Sequence, residues 1–175
     1  MSILYGDKIY LKILSVEDVS DAYVSWMNDY EIVKYTESRF YPQTKEAVKQ
    51  FVIRMGNENN TLFGIFTKNN KAHIGNIKLG SINWIHRYAD IGIIIGDKEY
   101  WGQGIATEAI GLVVEYAFKQ LNLHKLIAAA YQYNTGTVKA FKKNGFVEEY
   151  IEKEKYFFEG NYIDCIFMGK INDRR

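Results

Sequence analysis

Gly102 and Gly104 stand one residue apart in the stretch YWGQGIATEAI, residues 100–110, where helix-forming residues begin. The first N–H groups of a helix have no partner inside it, and the helix dipole adds partial positive charge at that end. A loop bare of side chains at two positions lets an anion approach those amides. The chemistry expected of residues 102–107 is the holding of a phosphate or pyrophosphate. A plain glycine turn is the alternative reading. Spacing excludes two other phosphate motifs. A dinucleotide fingerprint needs a third glycine where Thr107 stands and an acid after the next strand, where Gln132 stands; a P-loop needs Gly-Lys-Ser/Thr.

Few other residues carry chemistry by spacing alone. The single cysteine, Cys165, leaves no intrachain disulfide or cysteine metal cluster. Within YIDCIFMGKI it reads as a small core hydrophobe, and no metal site is expected. His124 reads as a structural hydrogen-bonder, and His73 has no evident partner. The formal charge of +1 lacks the basic excess of a nucleic-acid binder. No apolar run approaches the roughly 20 residues of a membrane span, and no signal peptide is evident. The expectation is one soluble, cytoplasmic domain over residues 1–175, a monomer or homodimer, with no nucleic-acid or membrane partner.

The elements that must position the loop follow from periodicity. KIYLKIL, residues 8–14, alternates as a strand. Ser15, followed by Glu17 and Asp18, predicts a helix to about Trp26. Residues 28–36 predict a short helical piece, and Thr44 a cap for TKEAVKQFVIRM. TLFGIFT, HIGNIKLGSI and YADIGIIIG predict an antiparallel meander. Residues 104–121 predict a buried helix, KLIAAAYQ a strand, and residues 135–145 a short helix ending at a C′ glycine. FVEEYIE and YIDCIFMGKI predict two closing strands joined around EGN. The class is α+β with a central mixed sheet.

The run IGIIIGDKEYWGQGIATEAIGLVVEYAFKQLNLHKL, followed by NTGTVKAFKKNGFVEE, resembles the GNAT superfamily of acyl-CoA-dependent N-acetyltransferases. Within it, the chain is similar to the branch holding ribosomal-protein alanine, spermidine and amino-sugar acetyltransferases. The resemblance spans nearly the whole chain. It implies a mostly antiparallel sheet of six or seven strands, flanked by helices and splayed open near its middle around acetyl-CoA. It further implies cofactor contacts from Ile94, Ile95, Gly96, Gly102, Gln103, Gly104, Ile105, Ala106 and Thr107, with Asn134 matching an asparagine that commonly contacts CoA. Two departures stand out. Trp101 takes the first position of the Gln/Arg-x-x-Gly-x-Gly/Ala pattern. Phe141 replaces a tyrosine that in many members protonates the departing thiolate.

Acetyl transfer to an amine sets three requirements. The amine, with a pKa of about 10, must lose a proton; positioned proton transfer contributes on the order of 10²–10⁴-fold. The resemblance points to Asp90 as the base, with a solvated carboxylate beside Arg87 as the equal alternative and His86 as runner-up. The oxyanion needs a backbone N–H, expected on strand residues 93–95, where the superfamily's strand bulges. The leaving thiol, with a pKa of about 8.5, needs limited help, for which Tyr133 and Thr137 are the candidates. Glu108 reads as structural, orienting the loop.

The acceptor, a primary amine, is expected between residues 26–40 and the turn YFFEGNY, residues 156–162, with Trp26, Glu31, Arg39, Trp84 and His86 contributing. The resemblance favours an amino sugar, nucleotide-linked, with Arg39 meeting its phosphate. A polyamine and a protein N-terminus are the other acceptors, and a non-catalytic acyl-CoA sensor is the reading from another class.

Overall fold

In the computed structural model, which describes residues 3–57 and 59–173, eight strands form one sheet. They are β1 (Ile3–Tyr5), β2 (Ile9–Ile13), β3 (Thr61–Thr67), β4 (His73–Asn83), β5 (Tyr88–Ile95), β6 (Lys125–Tyr131), β7 (Val147–Phe158) and β8 (Asn161–Ile171). Their spatial order is β1-β2-β3-β4-β5-β6-β8-β7. The strand beyond the expected seven is β1, whose three residues are too few for alternation to register in sequence. The meander β3-β4-β5 is antiparallel as expected, and β7 and β8 join through a two-residue turn at Glu159 and Gly160.

One junction breaks the pattern. β5 and β6 run parallel and pair at only three positions, Tyr88–Lys125, Ala89–Leu126 and Asp90–Ile127. Past Asp90 the two strands separate, while β5 stays in register with β4 up to Ile95. The expected bulge at residues 93–95 is therefore absent. The register shift of this hairpin lies instead between Gly80 and Asn83, where Ser81 takes a φ of 49°.

Five helices flank the sheet: α1 (Asp21–Trp26), α2 (Tyr30–Val33), α3 (Lys45–Met55), α4 (Ile105–Lys119) and α5 (Thr135–Lys143). The helix expected from Ser15 onward is divided. Ser15 and Asp18 close a capping box around one 3₁₀ turn, and Ser20 starts α1 by accepting from the Tyr23 N–H. The second cap, five residues on, starts the helix whose Tyr23 and Trp26 pack into the core. The α4 side of the sheet holds the larger core, including Ile77, Leu79, Ile91, Ile110, Val113 and Phe141. The opposite face packs on α1 and α3 through Tyr23, Trp26, Val48, Val52, Leu62 and Phe66. No helix among the described residues is long and apolar enough to cross a membrane.

Candidate active site

A helix start is normally closed by a side chain. Ser20, Asp29, Thr44 and Asn134 cap α1, α2, α3 and α5. Only α4, among the described helices, begins on a residue that cannot do this: Gly104, at φ 81° and ψ 4°, with no side chain to accept. Gly102 is also left-handed, at φ 73°. These values explain both glycines, because a side chain in that region costs about 1–2 kcal/mol. Among the described residues, nothing lies within 4 Å of where either Cβ would point. The amides of residues 102–107 find no acceptor elsewhere among the described residues. Six main-chain donors thus remain available at the positive end of a 15-residue helix.

Those donors open onto a cleft of about 470 Å³. Its walls are the loop and first turn of α4, one side of α5, the end of β5, and the segment between α2 and Thr36. Of the residues expected to hold the cofactor, Ile94, Ile95, Gly102, Gly104, Ile105, Ala106, Thr107 and Asn134 line it. Asn134 Oδ1 also accepts from the Thr137 N–H at 3.4 Å, and Thr137 lines the cleft beside it. Gln103 is absent from the lining. Its side chain turns back to the Glu99 carbonyl at 2.6 Å. Gly96 is likewise committed elsewhere: its N–H bonds to Ile74 O at 2.9 Å, and the Trp26 ring occupies the space a Cβ would need.

The same bond fixes which amides of β5 face the split. In an antiparallel pair the main-chain groups alternate in direction. With Gly96 bonded to β4, Ile94 is also turned to β4, and Ile93 and Ile95 turn toward the space left by β6. The Ile95 carbonyl there accepts from the Trp101 indole at 2.9 Å, which ties the loop to the strand. The donors that face the gap are therefore those of Ile93 and Ile95, and Ile94 contributes only as lining.

Asp90 sits at the last rung where β5 and β6 still touch. One carboxylate oxygen pairs with Lys78 Nζ at 2.7 Å, and the other is buried without a partner among the described residues. Phe141 is 1% exposed and packs edge-on to Phe146, so no hydroxyl enters from that position. Tyr133 is exposed, leans toward Phe158 and stands outside the cleft lining.

The acceptor side needs more correction. Trp26 is 8% exposed and belongs to the core beneath α1, because its indole packs on Gly96 and beside His73. Arg39 is a brace. Its Nη1 donates to Lys34 O, Thr36 O and Tyr131 Oη, and its Nη2 to Phe157 O at 2.6 Å. The guanidinium thereby fastens the segment after α2 to β6 and β7 and is not free for a phosphate. Trp84 and His86 belong to the β4–β5 hairpin, roughly 20 Å along the strand from Ile94 at the usual rise per residue. Glu31 does line the cleft, paired with Lys34 at 2.8 Å. The two expected walls meet, since Tyr30 Oη donates to the Glu159 carboxylate at 3.0 Å. Tyr35 and Thr36, inside the expected wall of residues 26–40, line the cleft as well. Sequence reasoning missed Lys139 and Lys143, which also line it; their i, i+4 spacing on α5 was a readable signal.

Burial raises the Tyr131 and Tyr156 phenols above their ordinary value. Their rings stack at 3.9 Å. Cys165 is buried as expected, its thiol 3.6 Å from Tyr156 Oη and pushed up by desolvation.

Residues 8–147 match the family model described as an Acetyltransferase (GNAT) domain. A probable N-acetyltransferase, YjcK, from Bacillus subtilis is 28% identical over 97% of each chain. Over 91 residues, 52% of each chain, spermidine N(1)-acetyltransferase from Vibrio cholerae is 40% identical. The crystal structure of spermidine N-acetyltransferase from Vibrio cholerae, in complex with CoA and spermine, superposes with a TM-score of 0.86 at 27% identity, over 97% of this chain and 98% of that one. Ribosomal-protein-S5-alanine acetyltransferase from Vibrio fischeri shares the fold, with a TM-score of 0.86 at 24% identity over 99% and 98% of the two chains. A helix start left open beside a parted sheet now has its context: this chain belongs to the GNAT acetyltransferase family and is an acyl-CoA-dependent N-acetyltransferase, with acetyl-CoA as cosubstrate.

Proposed function

We propose that the chain acetylates a small primary amine and that a polyamine is the acceptor to try first. The observation that carries the reading is the pairing of two unfilled sets of donors, the amides of residues 102–107 and those of Ile93 and Ile95, along one cleft. The first set suits the CoA diphosphate, with Lys139 and Lys143 adding positive charge on α5. The second suits the oxyanion that forms when the amine attacks the thioester, a contact typically worth about 10²–10³ in rate. The thiolate then leaves past the Thr137 hydroxyl, needing little help at a thiol pKa of about 8.5. Asp90 is the base to test, reached through water: its backbone stands at the last β5–β6 rung, while its partnerless oxygen lies against Gly80 on β4, outside the cleft lining.

Two features support a polyamine. The relatives named for spermidine are similar to this chain both in sequence and over the whole fold. On the acceptor side, Glu31 and Glu37 offer carboxylates near the rings of Tyr35 and Tyr131, which suits a flexible cation. The nucleotide-linked sugar loses its main support, since Arg39 is already bonded on both arms.

Free-thiol release and acetyl mass gain, measured with acetyl-CoA and a panel of spermidine, spermine, amino sugars and N-terminal peptides, test the reading. Turnover with the polyamines is expected. Turnover confined to sugars or peptides refutes the acceptor, and CoA binding without thiol release for any amine refutes the amine reading. Asp90→Asn separates base from brace: loss of about 10²–10⁴ in kcat supports proton transfer, and a change within a few-fold leaves Asp90 only its ion pair with Lys78.

A further inference from the structure

The turn between β1 and β2 reaches the far side of the coenzyme loop. Lys8 Nζ donates to the Gln103 carbonyl at 2.9 Å. Glu108, in the first turns of α4, answers in the other direction: its Oε1 accepts from the Lys8 N–H at 2.9 Å and the Ile9 N–H at 3.3 Å. Gly6 makes the closeness possible, since a Cβ there would stand 2.2 Å from the same oxygen. Two residues about a hundred positions apart are thus cross-braced, one gripping the loop and the other gripping the turn that carries the first.

A trans peptide points its C=O and N–H in opposite directions. Holding the Gln103 carbonyl outward therefore turns the Gly104 N–H inward, and Gly104 lines the cleft. With a left-handed glycine on each side, Gln103 needs such an anchor, because the peptide planes next to glycine rotate at little cost. The ammonium also polarises the peptide it holds, which strengthens the N–H on its other side as a donor. Glu108 places a carboxylate near the proposed anion site, yet its charge is turned away and engaged by two amides.

We propose that Lys8 is a positioning residue for acetyl-CoA, with Glu108 as its support, acting on the diphosphate through the Gln103–Gly104 peptide. The proposal rests on the reading of residues 102–107 as the diphosphate cradle. Calorimetric Kd values for CoA and for pantetheine, which has no diphosphate, test it in the wild type, Lys8→Met and Lys8→Arg. In the wild type CoA should bind far more tightly than pantetheine. Lys8→Met should weaken CoA by about tenfold, the scale of one charge-assisted hydrogen bond. It should leave pantetheine and the melting temperature unchanged, and Lys8→Arg should restore most of the loss. Unchanged CoA affinity in Lys8→Met overturns the proposal. So does an equal loss for both ligands, which marks a merely structural role. If the wild type itself does not distinguish CoA from pantetheine, the cradle reading fails first and takes the proposal with it.

Discussion

Gly104→Ala and Gly160→Ala form a matched pair. Both glycines are left-handed, at φ 81° and 85°, and neither would-be Cβ meets an atom of the described residues within 4 Å. Their backbone cost should be the same, about 1–2 kcal/mol, which for a chain of this size is roughly 2–8 °C in Tm. They differ in place. Gly160 closes the β7–β8 turn, and Gly104 opens α4 onto the cleft. A methyl group at Gly104 projects from a backbone whose amides are proposed to hold a diphosphate. Displacing the anion from one such donor costs about 1.5–3 kcal/mol, or roughly 10- to 100-fold in Kd. The assay is calorimetric titration with CoA alongside thermal melting of both variants. Equal drops in Tm with a loss of CoA affinity only in Gly104→Ala is the expected result. If both variants keep wild-type affinity, or lose it equally, the amides of residues 102–107 do not hold the coenzyme.

Three further outcomes are expected. Arg39→Ala should lower stability by about 1–3 kcal/mol in chemical denaturation, because it strips donors from three carbonyls and Tyr131 Oη; Arg39→Lys should recover little, since an ammonium lacks the fork that reaches both sides, and full recovery would argue against the brace. Gly6→Ala should displace the Glu108 carboxylate from the Lys8 and Ile9 amides, costing about 1–3 kcal/mol; unchanged stability would show that the contact contributes nothing. His73 is held below the ordinary histidine pKa, chiefly by burial among Tyr23, Trp26 and Phe66, with Asp18 and Lys12 as nearby opposing charges. Its folded pKa lies below the unfolded value, so the unfolded chain binds the proton first. Stability is whole above about pH 6.5 and falls as the pH drops below that value. The drop in Tm between about pH 7.5 and 5.5 should shrink in His73→Phe; an identical drop would assign it to other groups.

What the sequence reveals depends on how local the cause is. Thr44 as the cap of α3, Gly145 after α5 and the two-residue turn at Gly160 were readable because a single side chain or its absence decides each. The helix expected from Ser15 was lost to Ser20, a second cap of equal local merit, and only packing chooses between them. The cleft shows the same division. The loop at residues 102–107 was legible as bare backbone before a helix. Trp26 and Arg39 were not, because an aromatic ring and a guanidinium suit a binding wall and an interior brace equally well in sequence. That the amides of Ile93 and Ile95 face the split and that of Ile94 does not is set by ladder phase, which a run of three isoleucines cannot express.

The three-rung junction of β5 and β6 has a consequence for how the sheet is sealed. A strand margin is ordinarily found at the periphery, where charges, prolines or bulges discourage another chain from adding to it. Here two such margins lie indoors, back to back, with Ile93 and Ile95 baring their N–H groups in the middle of the fold. Solvent or a guest must saturate those donors, so hydrogen exchange at these two amides should be fast for so central a location and should slow when a ligand fills the gap between the strands.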